Sequence, residues 1–406
     1  MISTDFSRGA SPGMGSLATY VRSHGLLRRR YLYYWLLLTI LLAALGSTAV
    51  TFVAVGDTWW QMVIAPASAL ILVHFAFLVH DSSHFQIFRS ARANEYFSII
   101  MASLVIGASY SWWQAKHTRH HKNPNHITLD PDVSLPVVPA TATSGFLRRL
   151  PVVRTVAARQ GLLLFPLMFL EGLSLYFESW KYLLAQRKVR YRYLQLGLMT
   201  VHAAAVALLL LFTLSWGVAA AVWGVHIGLF GFYLGMVFAL NHKGMPLVAD
   251  NGKSDFLLRQ VLVSRNIISS RFLAAVMGGL NNQIEHHLFP TAPRPVLFEL
   301  ARIVKAYCNE HGVPYTETTL TESYRRVYRY VNKVGIGRSD DYVCPLGEYR
   351  TSDSISNCLP PWGTANRQGS ESHGQAGTMP TVLSGVDTRD RNPEIRGRGE
   401  ATQEMG

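Results

Sequence analysis

Eight of the fifteen histidines fall in four short segments. The first holds His80 and His84, four residues apart. The second is His117-Thr118-Arg119-His120-His121, and the third is Gln283-Ile284-Glu285-His286-His287. His242 stands alone in Asn241-His242-Lys243-Gly244. On a helix, residues three and four apart share a face, so each of the three clusters presents its side chains together. That is the geometry a bound metal needs. Scattered surface histidines would not repeat it. Imidazole suits zinc, copper, iron and nickel, so the ligand type leaves the metal open. Eight histidines and Gln283 exceed the four ligands of a tetrahedral zinc and suit two ions. The Glu-x-x-His pairs of soluble carboxylate-bridged di-iron bundles are absent. A nitrogen-rich pair of irons remains, a common solution for oxygen activation at a membrane surface.

The elements that must position these clusters are apolar. The chain has 406 residues, 49% hydrophobic and only 16% charged, against about 25% charged in a soluble domain. Tyr31 to Val55 and Trp59 to Val79 are long hydrophobic runs joined by Gly56-Asp57-Thr58. Leu194 to Leu214 and Val218 to Leu240 form a second such pair, joined by Ser215-Trp216-Gly217. Each run is long enough for a hydrocarbon core about 30 Å thick. The expected fold is therefore all-α and integral to a membrane, with four spans in two hairpins. Arg28 to Arg30, Arg187 to Arg192, Lys243, Arg259 and Arg265 flank the runs on one side, and the two short links carry no Lys or Arg. Positive charge marks the cytoplasmic side, so both termini are expected there.

Convergence of the ligands constrains the topology further. All clusters must lie on one side, so an even number of crossings separates any two. Tyr96 to Trp113 therefore lies in the interface or dips in and returns, with Trp112 and Trp113 as interfacial anchors. Leu162 to Leu175 holds Glu171, a costly charge in lipid, and is also expected not to cross once. Residues 1–22 and 346–406 are polar or rich in small residues and read as disordered. The membrane domain then occupies 23–345. The net charge of +13 accompanies no nucleic-acid motif. It fits positive-inside bias, lipid headgroups, or an acidic protein partner. Cys308, Cys344 and Cys358 form no C-x-x-C pair, which leaves a cysteine zinc site or iron–sulfur cluster unsupported.

These boxes resemble those of the membrane fatty acid desaturase family, from about Val73 to Pro290. The most specific stretch is Asn282-Gln283-Ile284-Glu285-His286-His287-Leu288-Phe289-Pro290. Gln in place of His at the head of the third box is similar to front-end acyl and sphingolipid desaturases. Asp130-Pro131-Asp132 is also familiar from the family. The resemblance implies a cytoplasmic helical cap holding a di-iron centre. Its implied ligands are His80, His84, His117, His120, His121, His286 and His287, completed by His242 and Gln283. It further implies O2-dependent insertion of a cis double bond into an acyl chain, on a membrane lipid or acyl-CoA. No H-P-G-G haem motif of a fused cytochrome b5 occurs. Electrons are thus expected from a separate ferredoxin or cytochrome b5-type donor with its reductase.

The remaining polar groups take supporting roles. Asp81, Asp130 and Glu285 are candidate acceptors for the second ring N–H of ligating histidines. His74, His126, His202 and His226 read as structural. Two rival readings stand beside the desaturase. A hydroxylase or other lipid oxygenase would use the same boxes. A metal transporter would need ionisable residues along whole spans rather than at one boundary.

Overall fold

The computed structural model describes residues 13–133, 155–156, 159–248 and 255–336. The expected tail, 346–406, lies outside these residues. The described residues are mostly helical, and their only sheet is a two-stranded parallel pair, β1 (Asn266–Ile267) with β2 (Glu317–Thr318).

Four helices are long and apolar enough to cross a membrane: α2 (Tyr31–Val55), α3 (Gln61–Ser83), α8 (Arg192–Thr213) and α9 (Trp216–Ala239). α3 and α9 pack on one another as the inner pair. About 40% of their apolar windows is buried, against 17% in α2 and 6% in α8. The outer pair therefore turns large apolar side chains outward, such as Leu32, Val50 and Phe212. So large an apolar surface suits a lipid surrounding. The two links meet, because Asp57 Oδ1 accepts from both the Ser215 amide and its hydroxyl at 2.9 Å. Gln61 closes the first link by donating to the Phe52 and Gly56 carbonyls.

The two ambiguous runs are broken helices. α4 (Ala91–Ile100) continues as a π-helical turn, Met101–Ile106, then bends by 117° at Gly107 into α5 (Tyr110–Lys122). α6 (Gln160–Met168) and α7 (Glu171–Ala185) meet at 67°. If each bent pair were a span, the count would rise from four to six. Backbone groups freed at a break in an apolar setting need partners. Tyr176 donates to the Ile106 carbonyl at 2.7 Å, and His202 Nδ1 lies 3.0 Å from the Leu104 carbonyl. Gln195 Oε1 accepts from the Ser109 hydroxyl and the Ser111 amide. Gly107 has φ +86°, and a Cβ there would stand 2.4 Å from the His202 ring. His202 and Gln195, both on α8, thus lock the turn that aims α5.

A second apolar core lies beyond the long helices. It gathers α10 (Phe256–Leu262), α12 (Gln283–Leu288) and α13 (Leu297–Glu310), while α11 (Arg271–Val276) and α14 (Leu320–Ile336) complete the set. One expectation is corrected here. In the segment read as disordered, 1–22, residues 14–22 belong to α1 (Met14–Ser23). Leu17 and Val21, four apart, are fully buried in this core. The Tyr307 hydroxyl accepts from the Gly13 amide. A short i, i+4 apolar pair is easily overlooked among Ser, Gly and Thr. Residues 1–12 lie outside the described set.

Candidate metal centre

α3 extends past its apolar run to Ser83, so His80 stands on its last turn and His84 caps it. α5 carries His117, His120 and His121, and α12 carries Gln283, His286 and His287. His242 follows the end of α9. All nine side chains converge in two groups. His80, His84, His117, His121 and His286 form the first, and His120, His242 and His287 the second. In each, one potential ligand atom per residue lies within 4.8 Å of every other. Gln283 joins the second group, its Nε2 3.1 Å from His242 Nε2.

The spacing of the nitrogens tests whether a metal fits. Two nitrogens about 2.1 Å from one ion and 90° apart stand about 3.0 Å from each other. His80 and His286 Nε2 are 3.1 Å apart, His84 and His117 2.8 Å, and His121 and His286 3.0 Å. In the second group His242 and His287 Nε2 are 3.1 Å apart. Imidazole nitrogens that close fit direct coordination of a metal in each group.

The other ring nitrogens are held from behind. His120 Nδ1 lies 3.0 and 3.1 Å from the two Asp130 oxygens, which also accept from the Asn125 and Asp132 amides. His287 Nδ1 meets Gln260 Oε1 at 2.9 Å, and His242 Nδ1 meets the Val263 carbonyl at 3.2 Å. Such contacts turn Nε2 toward the centre. Of the three carboxylates expected in this role, Asp130 holds its histidine firmly. Asp81 approaches His80 Nδ1 only to 3.4 Å and pairs more closely with Arg294, Nη2 to Oδ2 at 2.7 Å. Glu285 instead accepts from Asn266 Nδ2 and the Tyr315 hydroxyl, both at 2.7 Å. It braces α12 against β1, and burial pushes its carboxyl up to about 7. Gln260 and Arg294 were missed because a distant Gln or Arg carries no spacing signal.

Burial first, then neighbouring imidazoles, holds His84, His117, His121, His242, His286 and His287 well below the ordinary histidine range. Neutral imidazole is the form that binds metal. The structural histidines lie apart. His226 Nδ1 meets the Ser68 hydroxyl at 2.7 Å, and His126 Nδ1 accepts from the Thr128 and Leu129 amides.

A cavity of about 300 Å³ opens against the histidines. Its apolar wall includes Ile106, Phe230 and Leu234 from the long helices and the bent pair. Lys116, Asp130, Asp132, Glu171 and Lys243 are its charged part, with Lys116 Nζ 2.8 Å from Asp132 Oδ1. Trp113 stacks on His117, ring centroids 4.3 Å apart. This indole anticipated as an interfacial anchor is therefore a wall of the site.

The fold and the site define a class: a multi-helix protein with spans apolar enough for a membrane and histidine clusters capable of binding metal. The family model for fatty acid desaturase matches residues 57–319, and the chain belongs to that family. It is 30% identical over 283 residues to the acyl-lipid (9-3)-desaturase of Physcomitrium patens, a match covering 68% of this chain and 53% of that protein. It is 25% identical to Delta(8)-fatty-acid desaturase 2 of Arabidopsis thaliana over 82% of this chain and 74% of the relative. The Delta(6)-fatty-acid desaturase fat-3 of Caenorhabditis elegans is 26% identical, over 65% and 62% respectively. The chain thus spans about half the length of the Physcomitrium patens relative. The resemblance read from the histidine boxes is borne out.

Proposed function

We propose that this chain is an O2-dependent acyl-lipid desaturase that inserts a cis double bond into a membrane-bound acyl chain. One observation carries the reading: ligand nitrogens at metal-shell spacing stand in two groups beside a cavity with an apolar wall. His80, His84, His117, His121 and His286 would hold one iron, and His120, His242, His287 and Gln283 the other. Bound there, a pair of irons supplies the oxidising power that no side chain has: with O2, two electrons and two protons, a –CH2–CH2– unit becomes –CH=CH– and two waters. The protein's part is positional. Ile106, Phe230 and Leu234 would take the acyl chain, and His117 and His242 border the same space. Asp130, Gln260 and the Val263 carbonyl fix which nitrogens face the centre.

The same reading sets α2–α3 and α8–α9 as two hairpins, with histidines and termini on the cytoplasmic side beneath a helical cap. The meeting of the links through Asp57 and Ser215 supports it. Those links are at the opposite ends of α3 and α9 from His80 and His242. Both bent pairs then return to the side they left. Electrons would come from an acidic carrier such as a ferredoxin or cytochrome b5. Expression in a host lacking the activity, with carrier and reductase supplied, tests the function. An acyl product short of two hydrogens supports a desaturase. A product with one added oxygen assigns a hydroxylase instead.

A further inference from the structure

α3 ends in a reverse turn that places His84. The Gln86 amide donates to the Asp81 carbonyl at 3.1 Å, and the Phe85 amide to the Ser82 carbonyl at 2.9 Å. These paired bonds require a left-handed residue at position 85, a place that glycine usually fills. Phe85 occupies it with φ +59°. A bulky side chain in that region is strained. The hydrophobic contact that normally closes such a turn is replaced by Tyr34, whose hydroxyl meets Asp81 Oδ2 at 3.2 Å and Gln86 Oε1 at 2.8 Å. Gln86 in turn donates to the Pro290 carbonyl. The turn is therefore fixed without the Phe85 ring, which is 42% exposed. Strain retained for an exposed aromatic points to a contact outside the chain.

The location says which contact. Of the nine candidate ligands, only His84 and His121 are half-buried rather than buried, and their rings are 4.5 Å apart in the same group. They are the ligands that reach the surface. Phe85 follows one and Lys122 the other. Arg89, Arg92, Arg119 and Lys122 are exposed. Residues 110–129 contain no carboxylate, and the one acid in 84–95, Glu95, pairs with Arg190. These cations lie on the two segments that carry His84 and His121, and an exposed aromatic with charged residues on the same segments is a feature of protein contacts.

We infer that Phe85 is the anchor on which an acidic one-electron carrier protein docks, over the His84–His121 edge of the metal centre. The inference rests on the external-donor reading of the proposed function. The test uses the full-length, iron-loaded protein with Phe85→Gly and Phe85→Ala. Gly removes ring and strain, whereas Ala removes the ring alone. Reduced cytochrome b5 and reduced plant-type ferredoxin are the probes, and dithionite drives turnover without a docking protein. The expected result is a loss of roughly tenfold or more in the second-order rate of reduction by a carrier in both variants. That rate should fall with salt in the wild type. Iron content and dithionite-driven turnover should stay at wild-type level, and Phe85→Gly should melt no lower than wild type.

Unchanged carrier kinetics in Phe85→Ala would overturn the inference, and weaker membrane retention beside it would assign the ring to lipid. A loss confined to Phe85→Gly and shared by the dithionite assay would make residue 85 a backbone brace for His84, also against it. Wild-type protein that desaturates with dithionite but accepts electrons from neither carrier overturns the docking alone. Wild-type protein that desaturates with no reductant overturns the function and the docking with it.

Discussion

His286 and His287 are neighbours in the chain, yet their ring planes stand at 89° and they belong to different metal-binding groups. A six-residue helix, α12, divides its adjacent imidazoles in this way, and α5 does the same with His120 and His121. The prediction is that the two alanine variants each lose a different ion. His286→Ala and His287→Ala should each retain about one iron per chain or fewer by elemental analysis, both with desaturation abolished. Full iron content in either would remove that histidine from the ligand set.

Asp130 accepts from His120 through both oxygens. Replacing such an outer carboxylate typically costs about 10–100-fold in metal affinity. Asp130→Asn should show that loss in a competitive chelation titration, while Glu285→Gln, which touches Asn266 and Tyr315 instead, should shift affinity less.

Gln283 is tied to both Asn241 and His242. Turning its amide would present Oε1 to the second group in place of Nε2. Gln283→His should keep two ions per chain, and Gln283→Ala should lower occupancy of the second group below that of the first. Equal iron content in the alanine variant would leave Gln283 a packing residue.

Asp81 and Arg294 form a buried ion pair against Tyr34. Arg294→Ala leaves a buried carboxylate without its counter-charge, a loss of about 3–5 kcal/mol. Thermal unfolding in detergent should shift strongly downward. A shift no larger than that of an exposed substitution such as Arg329→Ala would contradict this.

Removal of metal should expose an acid sensitivity. Six of the histidines are held below their ordinary range in the folded chain. Unfolded, they take up protons at about pH 6.5. The unfolded state therefore binds more protons as pH falls below 6.5, and folded stability is lost in that window. The unfolding temperature of chelated protein should drop from pH 7 to 5.5. Little change in this range would mean that the imidazoles are charged in the folded apoprotein.

The repeated i, i+3, i+4 histidines and the long apolar runs were legible because both are local patterns. The observed helices Gln61–Ser83 and Trp216–Ala239 differ from the expected runs by a few residues at their ends. The division of the second and third boxes between two groups was not legible. It depends on how α3, α5 and α12 cross, which spacing within one helix does not encode. Gln260, Arg294 and Tyr315 act across long chain separations and carry no sequence pattern. α1 escaped notice because its stability comes from Leu17 and Val21 packing in a core built mainly from residues 248–313. The strain at Phe85 is likewise a backbone property, and the letters His-Phe-Gln do not show it.

The most direct measurement is the mass of the acyl product made by the purified, iron-loaded protein with O2 and a reductant. The account predicts a chain lighter by two hydrogens, formed in wild type and absent in both His286→Ala and His287→Ala. An oxygenated chain, or product formation that survives in either variant, would contradict it.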